Sequence, residues 1–213
     1  PQHYFFVGIG GSGMSALADI MRLRGHRISG SDRGHDQGQS EDKFTRLEQA
    51  GMTLYPQNGA GVMAGVDAVI VSSAVEETIP DIQAARAKNI PVLRRADLLA
   101  SLFNVSKGIG IGGTSGKTTT TGMTGWVLHA LGDHPTIVNG GIMPNFIGHP
   151  GSLLGNAING TSPMCVVEVD ESDGTIDLYN PSVSVLNNIT LDHKPFDVLE
   201  PMFSAFLSRA RDG

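Results

Sequence analysis

The chain has 213 residues, 40% of them hydrophobic, and carries 15 Lys and Arg against 21 Asp and Glu, a formal net charge of −6. This length allows one large domain or two small ones, and the negative charge argues against a nucleic-acid partner held by phosphate contacts. The single cysteine, Cys165, permits no internal disulfide, and the lack of a signal-like N-terminus or a long apolar run predicts a cytoplasmic protein without a membrane partner.

The first half of the chain alternates between strand and helix patterns. Apolar runs and helical spacing predict strands at 4–7, 27–29, 67–71 and 91–93, and helices over 14–21, around Phe44 and Leu47, and over 82–88. Such alternation predicts a parallel sheet with right-handed crossovers, that is, a Rossmann-like α/β domain. We place its end at the connection 104–107 and assign residues 1–106 to it.

The second half, residues 107–213, repeats this alternation. The same patterns predict strands at 108–111, 136–138, 165–169 and 183–186, and helices over 118–131 and 203–210. The segment 140–163 is rich in Gly, Pro and Asn, which predicts a long functional loop. Cys165 opens one of the apolar strands and is therefore predicted to be a core residue rather than a nucleophile.

The most informative motif lies directly after the strand at 108–111. It opens the next helix and reads Gly113-Thr114-Ser115-Gly116-Lys117-Thr118-Thr119. This order is typical of a phosphate-binding loop, in which backbone N–H groups surround the phosphates, a lysine adds charge and a hydroxyl holds Mg²⁺. Ile111 stands where the strict P-loop pattern has its first glycine, so a glycine-rich turn is the alternative. We predict a P-loop-type α/β ATPase domain with ATP and Mg²⁺ as cofactors.

A second glycine loop, Gly8-Ile9-Gly10-Gly11-Ser12-Gly13, follows the first strand. Together with Asp32 it matches the dinucleotide fingerprint and, taken alone, suggests an NAD-dependent dehydrogenase. A nucleotide-sugar diphosphate would use the same backbone donors equally well. A dehydrogenase does not require a triphosphate-binding loop. A ligase that joins a nucleotide-linked acid to an amine requires both a triphosphate site and a site for the nucleotide-linked acid. The two loops together favour a ligase, with an NAD(P)-linked oxidoreductase as the alternative.

Acidic residues follow the strand predicted at 165–169. Alternation places Glu168 and Asp170 on one side of that strand, with Glu171 just beyond its end. The carboxyl ends of parallel strands face a common crevice, and Mg²⁺ prefers oxygen ligands. His193 follows the next predicted strand, at 183–186, and is therefore expected at the same edge of the sheet. This position favours a metal site formed with Glu168. A solvated acidic turn and a structural histidine are the alternatives.

Taken together, these motifs resemble the Mur ligases. The resemblance extends in order over nearly the whole chain, through Gly8 to Met14, 71–75, 91–99, 113–120, 168–173 and Asp192-His193. Several ordered motifs are more specific than either glycine loop alone. Within the family the motifs are most similar to the members that join UDP-N-acetylmuramate to L-alanine, and nearly as similar to those that attach a tripeptide.

The resemblance implies an ATP-dependent ligase of peptidoglycan biosynthesis or recycling. It would convert the carboxylate of UDP-N-acetylmuramate to an acyl phosphate and join it to an amino acid or a peptide. Catalytic roles are implied for Lys117, Glu168 and His193, and Mg²⁺ would be held by Thr118, Glu168 and His193. Implied contacts with the UDP-sugar involve Gly10, Gly11, Ser12, Gly13, Met14, Ser31, Asp32, Ser72, Ser73, Asn139 and Gly140.

Three departures from the family pattern leave the amine substrate open. Ser115 replaces the histidine usual in the cradle of alanine-adding members, and 57–59 stands where the family often has a histidine. Residues 187–189 resemble the tripeptide-adding members, whereas 171–174 resemble the alanine-adding ones. Because the family has three domains, this chain is expected to contain the first and about half of the second, and to be inactive alone. A non-catalytic nucleotide-sugar sensor is a further alternative, and the oligomeric state is not predicted.

Overall fold

The computed structural model of the protein describes residues 1–72, 76–171, 174–190 and 195–212. Its first sheet is wholly parallel, with the strand order β3-β2-β1-β4-β5. The strands are β1 (His3–Val7), β2 (Arg27–Ser31), β3 (Thr53–Tyr55), β4 (Ala68–Val71) and β5 (Val92–Arg94). The order reverses direction at β1, so the glycine loop that follows β1 opens at the switch point of the sheet, where α/β proteins bind ligands.

The helices of this first unit are α1 (Ser12–Leu23), α2 (Arg33–Asp36), α3 (Glu41–Gln49), α4 (Pro80–Ala87) and α5 (Arg95–Asn104). Leu17 and Ile20 of α1 are fully buried, as the helical spacing predicts, and Gly25 follows the helix with a positive φ of 85°. Three elements were not predicted: the four-residue helix α2, the short strand β3 and the ten-residue helix α5.

The second sheet has the order β10-β6-β9-β7-β8, and it is parallel except for β8 against β7. Its strands are β6 (Lys107–Gly112), β7 (Thr136–Val138), β8 (Ala157–Ile158), β9 (Met164–Glu168) and β10 (Val183–Leu186), and its helices are α6 (Lys117–Ala130) and α7 (Phe196–Ser208). The predicted loop at 140–163 contains a 3₁₀ turn at Pro144–Phe146 and the strand β8. Within the described ranges, no helix combines the length and apolarity needed to cross a bilayer.

Helix α1 joins the two units. The buried Asp19 accepts the backbone N–H of Leu153 at 2.8 Å, and the Asn156 side chain donates to the carbonyl of Ser12 at 2.7 Å. Apolar side chains form one continuous cluster that extends from Leu17 of α1 to Val167 of β9. The first glycine loop and the carboxyl edge of the second sheet are therefore held close together.

Candidate functional site

The predicted phosphate cradle is the turn between β6 and α6. Gly113 and Gly116 have φ values of 136° and 76°, a backbone conformation that favours glycine. A Cβ atom on Gly116 would lie 2.7 Å from the side-chain nitrogen of Asn187, so close packing also requires glycine there. Asn188 accepts hydrogen bonds from the Thr114 hydroxyl at 2.8 Å and from the Ser115 N–H at 3.1 Å. The segment after β10 thus shapes the cradle, a role that the motif alone does not indicate.

Lys117 folds back over this turn. Its ammonium donates to the carbonyl of Gly113 at 2.7 Å and to the Glu171 carboxylate at 2.9 Å. Glu171 is only 5% exposed, so this ion pair is largely removed from water. Sequence reasoning placed Glu171 beyond the end of β9 but did not assign it to the site.

Two predicted metal ligands meet at the start of α6. The Thr118 hydroxyl donates to the Glu168 carboxylate at 2.9 Å, because β6 and β9 are neighbouring parallel strands. Gly140 approaches the same carboxylate so closely that a Cβ atom there would lie 2.1 Å from its Oε1. His193, the third predicted ligand, lies outside the described residues, as does Asp192. Within the part of the chain that the structure describes, no three His, Cys, Asp or Glu side chains converge as a metal site.

The first glycine loop is held by polar contacts, and two of its glycines, Gly10 and Gly13, are tightly packed. The Gly10 N–H donates to the Asp32 carboxylate at 2.8 Å, and the Lys43 ammonium donates to the Gly10 carbonyl at 2.7 Å. The guanidinium of Arg95 lies against Gly13, where a Cβ atom would be 3.2 Å from Nη1. Arg95 was not predicted as a site residue, since it belongs to the unpredicted helix α5.

Three cavities border this loop. One, of about 240 Å³, is lined by Gly8, Asp32 and Ser72. The second, of about 330 Å³, lies between the two units. The third, of about 320 Å³, is lined by residues that include Gly10, Ser12 and Gly140. The second cavity brings together predicted residues from both halves of the chain: Gly11, Ser12, Gly13, Met14, Ser72, Asn139, Gly140 and Glu168. Arg95 and Asp170 also line it, whereas the predicted Ser73 lies outside the described residues.

Asn139 has an unusual position in the larger cavity. Its side chain is 4% exposed, and its Oδ1 has no hydrogen-bond partner among the described residues. A buried carbonyl oxygen without a donor is costly, and in native structures it calls for a specific explanation. Asn139 also lines the larger cavity, so a turn of its side chain would bring the buried Oδ1 within reach of a donor group of a ligand.

Ser31 is not among the residues that line the smaller cavity, although its neighbour Asp32 is. Ser31 is fully buried, and its hydroxyl donates to the Asp81 carboxylate at 2.5 Å. Asp81 also accepts the Gly59 N–H at 2.8 Å, and its burial raises the pKa of this carboxyl above the ordinary range. The hydroxyl of Ser31 is thus engaged within the protein by Asp81, which sequence reasoning did not select.

Comparison with known proteins agrees with this geometry. The family model described as "Mur ligase family, catalytic domain" matches residues 3–107, and the model described as "Mur ligase middle domain" matches residues 111–197. A UDP-N-acetylmuramate–L-alanine ligase from Magnetococcus marinus is 40% identical over 98% of this chain and 42% of its own length. The chain spans about two fifths of the length of the curated relatives it matches.

Solved structures show the same similarity. A UDP-N-acetylmuramate–alanine ligase from Thermotoga maritima has a TM-score of 0.85 at 28% identity, over 99% of this chain and 48% of that one. A UDP-N-acetylmuramate:L-alanyl-γ-D-glutamyl-meso-diaminopimelate ligase from Neisseria meningitides has a TM-score of 0.83 at 25% identity, over 98% of this chain and 68% of that one. The two family models, the level of sequence identity and the shared fold all agree: this chain belongs to the Mur ligase family.

Proposed function

We propose that this chain supplies the UDP-sugar site and part of the ATP site of a cytoplasmic ligase that joins UDP-N-acetylmuramate to L-alanine in peptidoglycan biosynthesis or recycling. The observation that carries the proposal is the position of Glu168. Its carboxylate bonds to Thr118 at the phosphate cradle, and it also lines the cavity next to the first glycine loop. One side chain therefore connects a site for phosphates with a site for a nucleotide-linked acid.

The UDP-sugar would bind along the first glycine loop, within a domain that we assign to residues 1–106. The N-terminus of α1 and the Arg95 guanidinium provide positive charge for a diphosphate. The Asn139 side chain would turn to offer its unpartnered Oδ1 to an N–H or O–H group of the sugar. Such a contact would direct the sugar, and the acid it carries, toward Glu168.

ATP would bind at the cradle of the second domain, for which we propose residues 107–213. Backbone N–H groups from 113 to 119 would hold its phosphates, with Lys117 adding a positive charge. The Thr118 hydroxyl and the Glu168 carboxylate, 2.9 Å apart, are the hard oxygen ligands that Mg²⁺ prefers, and His193 would complete the set. When bound, Mg²⁺ would neutralise part of the negative charge of the phosphates.

In the proposed reaction the muramate carboxylate attacks the γ-phosphate of ATP and ADP leaves. The amine then attacks the carbonyl of the acyl phosphate, and phosphate is released. Phosphoryl transfer depends mainly on positioning and charge neutralisation. This chain's residues would therefore act by orientation, with Lys117 on the β and γ oxygens and Glu168 at the junction of the two substrates.

The proposed amine is L-alanine rather than a peptide. What favours it is the naming of the curated relatives, two of which, both named as L-alanine ligases, are 40% and 43% identical to this chain. Since the relatives are more than twice as long as this chain, we expect the isolated 213 residues to bind ligands without turning them over. We assign no oligomeric state.

Calorimetric titration of the chain with UDP-N-acetylmuramate, NAD and MgATP tests the proposal. We expect a heat of binding for the UDP-sugar and none for NAD. An Arg86→Ala variant, on the exposed face of α4, is the control. NAD binding without UDP-sugar binding would support an oxidoreductase and end the ligase proposal. UDP-sugar binding with no MgATP binding by any form of the protein, full-length included, would instead favour a non-catalytic sensor.

A further inference from the structure

The cradle lysine already has an anionic partner inside the protein. Lys117 Nζ lies 2.9 Å from Glu171 Oε2, and the exposed fractions of the two side chains are 18% and 7%. In a phosphate-binding loop this ammonium is the group that meets the outer phosphates. The carboxylate of Glu171 therefore takes one of the three N–H donors of Lys117 and neutralises charge that would otherwise attract a phosphate.

The second contact of Lys117 makes an exchange of partners feasible. The ammonium also donates to the Gly113 carbonyl at 2.7 Å, within the cradle itself. If the ammonium turned from Glu171 to a phosphate, this bond would keep it over the loop. A lysine ammonium has three donors, so the third is available to an incoming phosphate oxygen before the bond to Glu171 breaks.

Electrostatics opposes the presence of both anions at Lys117. A phosphate that approached the ammonium would also approach Glu171, and two anions in a poorly hydrated site repel each other strongly. Breaking a largely buried ion pair carries its own cost, because each charge has lost much of its hydration. Nucleotide binding would therefore have to overcome the Lys117–Glu171 pair.

We propose that Glu171 is an exchangeable counter-ion of Lys117, an inference that rests on the proposed nucleotide site. Glu171 is a positioning residue that holds the ammonium over the empty cradle and gives it up to a phosphate oxygen. In this role Glu171 lowers the affinity of the cradle for nucleotide and keeps Lys117 in place between binding events. Its function differs from that of Glu168, whose carboxylate contacts the Thr118 hydroxyl and serves the cation.

Binding of MgATP and of inorganic triphosphate to matched variants tests this role. Glu171→Gln keeps the shape of the side chain but removes its charge, and we expect binding on the order of three- to tenfold tighter than in the unaltered chain. Glu171→Asp withdraws the carboxylate from Lys117 and should give a smaller gain, so it carries the test if the glutamine variant does not fold. Glu77→Gln, at an exposed ion pair with Arg86, should leave the affinity unchanged.

Thermal unfolding with and without MgATP separates this role from a purely structural one. We expect Glu171→Gln to melt at a lower temperature than the unaltered chain when free, and to recover most of that difference when MgATP is bound. An equal loss in both states, or unchanged or weaker nucleotide binding in both Glu171 variants, would overturn the inference while leaving the cradle assignment intact. If neither the unaltered chain nor any variant binds triphosphate, the cradle assignment fails too, and the UDP-sugar titration still tests the other site.

Discussion

The carboxylate of Asp32 accepts the backbone N–H of Gly10 at 2.8 Å, although 22 positions separate the two residues in the chain. Its other oxygen accepts the N–H of Gly34, also at 2.8 Å, at the start of α2. The acid that a dinucleotide fingerprint assigns to a ribose is thus bonded to the glycine loop through one oxygen and caps a helix through the other. Asp32 sets the shape of the loop before any ligand arrives.

Gly10→Ala tests how tightly that loop is packed. A Cβ atom at this position would lie 2.8 Å from Asp32 Oδ2 and from the ring of Phe44, so both would have to move. We expect a loss of about 1–3 kcal/mol in unfolding free energy, measured in urea, and weaker UDP-sugar binding. Gly11→Ala is the matched control, since its Cβ atom would come no closer than 3.4 Å to a neighbour. Equal losses in the two variants would contradict the packing argument.

Asp81→Asn tests the buried carboxyl that accepts the Ser31 hydroxyl. Burial raises the pKa of Asp81 above its ordinary value of 3.8, so the folded state retains the proton to a higher pH than the unfolded state does. The stability that this group contributes is therefore complete below that value and is lost as the pH rises through the folded pKa. We expect the asparagine variant to gain stability relative to the unaltered chain between about pH 4 and pH 7, as measured by urea unfolding.

Asp97→Asn is the control, because the stability contributed by Asp97 should change with pH in the opposite direction. A hydrogen bond from Arg94 lowers the pKa of Asp97, so its contribution is present above the ordinary value and is lost as the pH falls. The effect should be small, because this pair lies at the surface. The same direction of change in both variants would contradict the assignment for Asp81.

Cys165 should be unreactive in the folded chain. It is buried in β9, and this burial raises the pKa of its thiol to about 12. At about pH 8 roughly one thiol in ten thousand would be ionised, and the thiolate is the reactive form. Iodoacetamide labelling followed by mass spectrometry should show almost no modification in native buffer and complete modification in denaturant. Rapid labelling in native buffer would mean that β9 opens readily.

Asp19→Ala tests the contact between the two units. The carboxylate is 4% exposed and accepts the Leu153 N–H, which would be left without its partner in the variant. We expect a loss of about 1–3 kcal/mol in unfolding free energy and faster hydrogen exchange over 150–159. Asp177→Ala, which removes an exposed partner of Arg209, should cost less than about 1 kcal/mol. A variant of Asp19 with unchanged exchange in that segment would show that α1 is held by apolar packing alone.

Long apolar runs made most of the fold predictable. The strands β1 and β4 and the helix α1 were found because buried residues follow one another, or recur at helical spacing, between glycines. Helix α5 was missed because it begins at Arg95, immediately after β5 ends at Arg94, without a turn residue between them. Strand β3 was missed because it has three residues and none is fully buried.

The candidate site could be predicted only where its residues belong to a local sequence motif. Both glycine loops and Glu168 were identified from local spacing. Glu171, Asp81 and Asn188 act through partners that lie 54, 50 and 74 positions away in the chain, respectively. No local pattern reveals such partners, because the strand order of each sheet brings them together.

The contact of α1 with the second unit has a consequence for how the chain folds. The bond from Asn156 to Ser12 closes a separation of 144 positions, and that from Leu153 to Asp19 a separation of 134. Contacts of such high sequence separation form late and slow folding. During synthesis, at about 5–20 residues per second, residue 156 would follow the end of α1 by about 7 to 27 seconds. We expect the first glycine loop to reach its final form only after residue 156 has left the ribosome, which makes the nascent first half a natural client for chaperones.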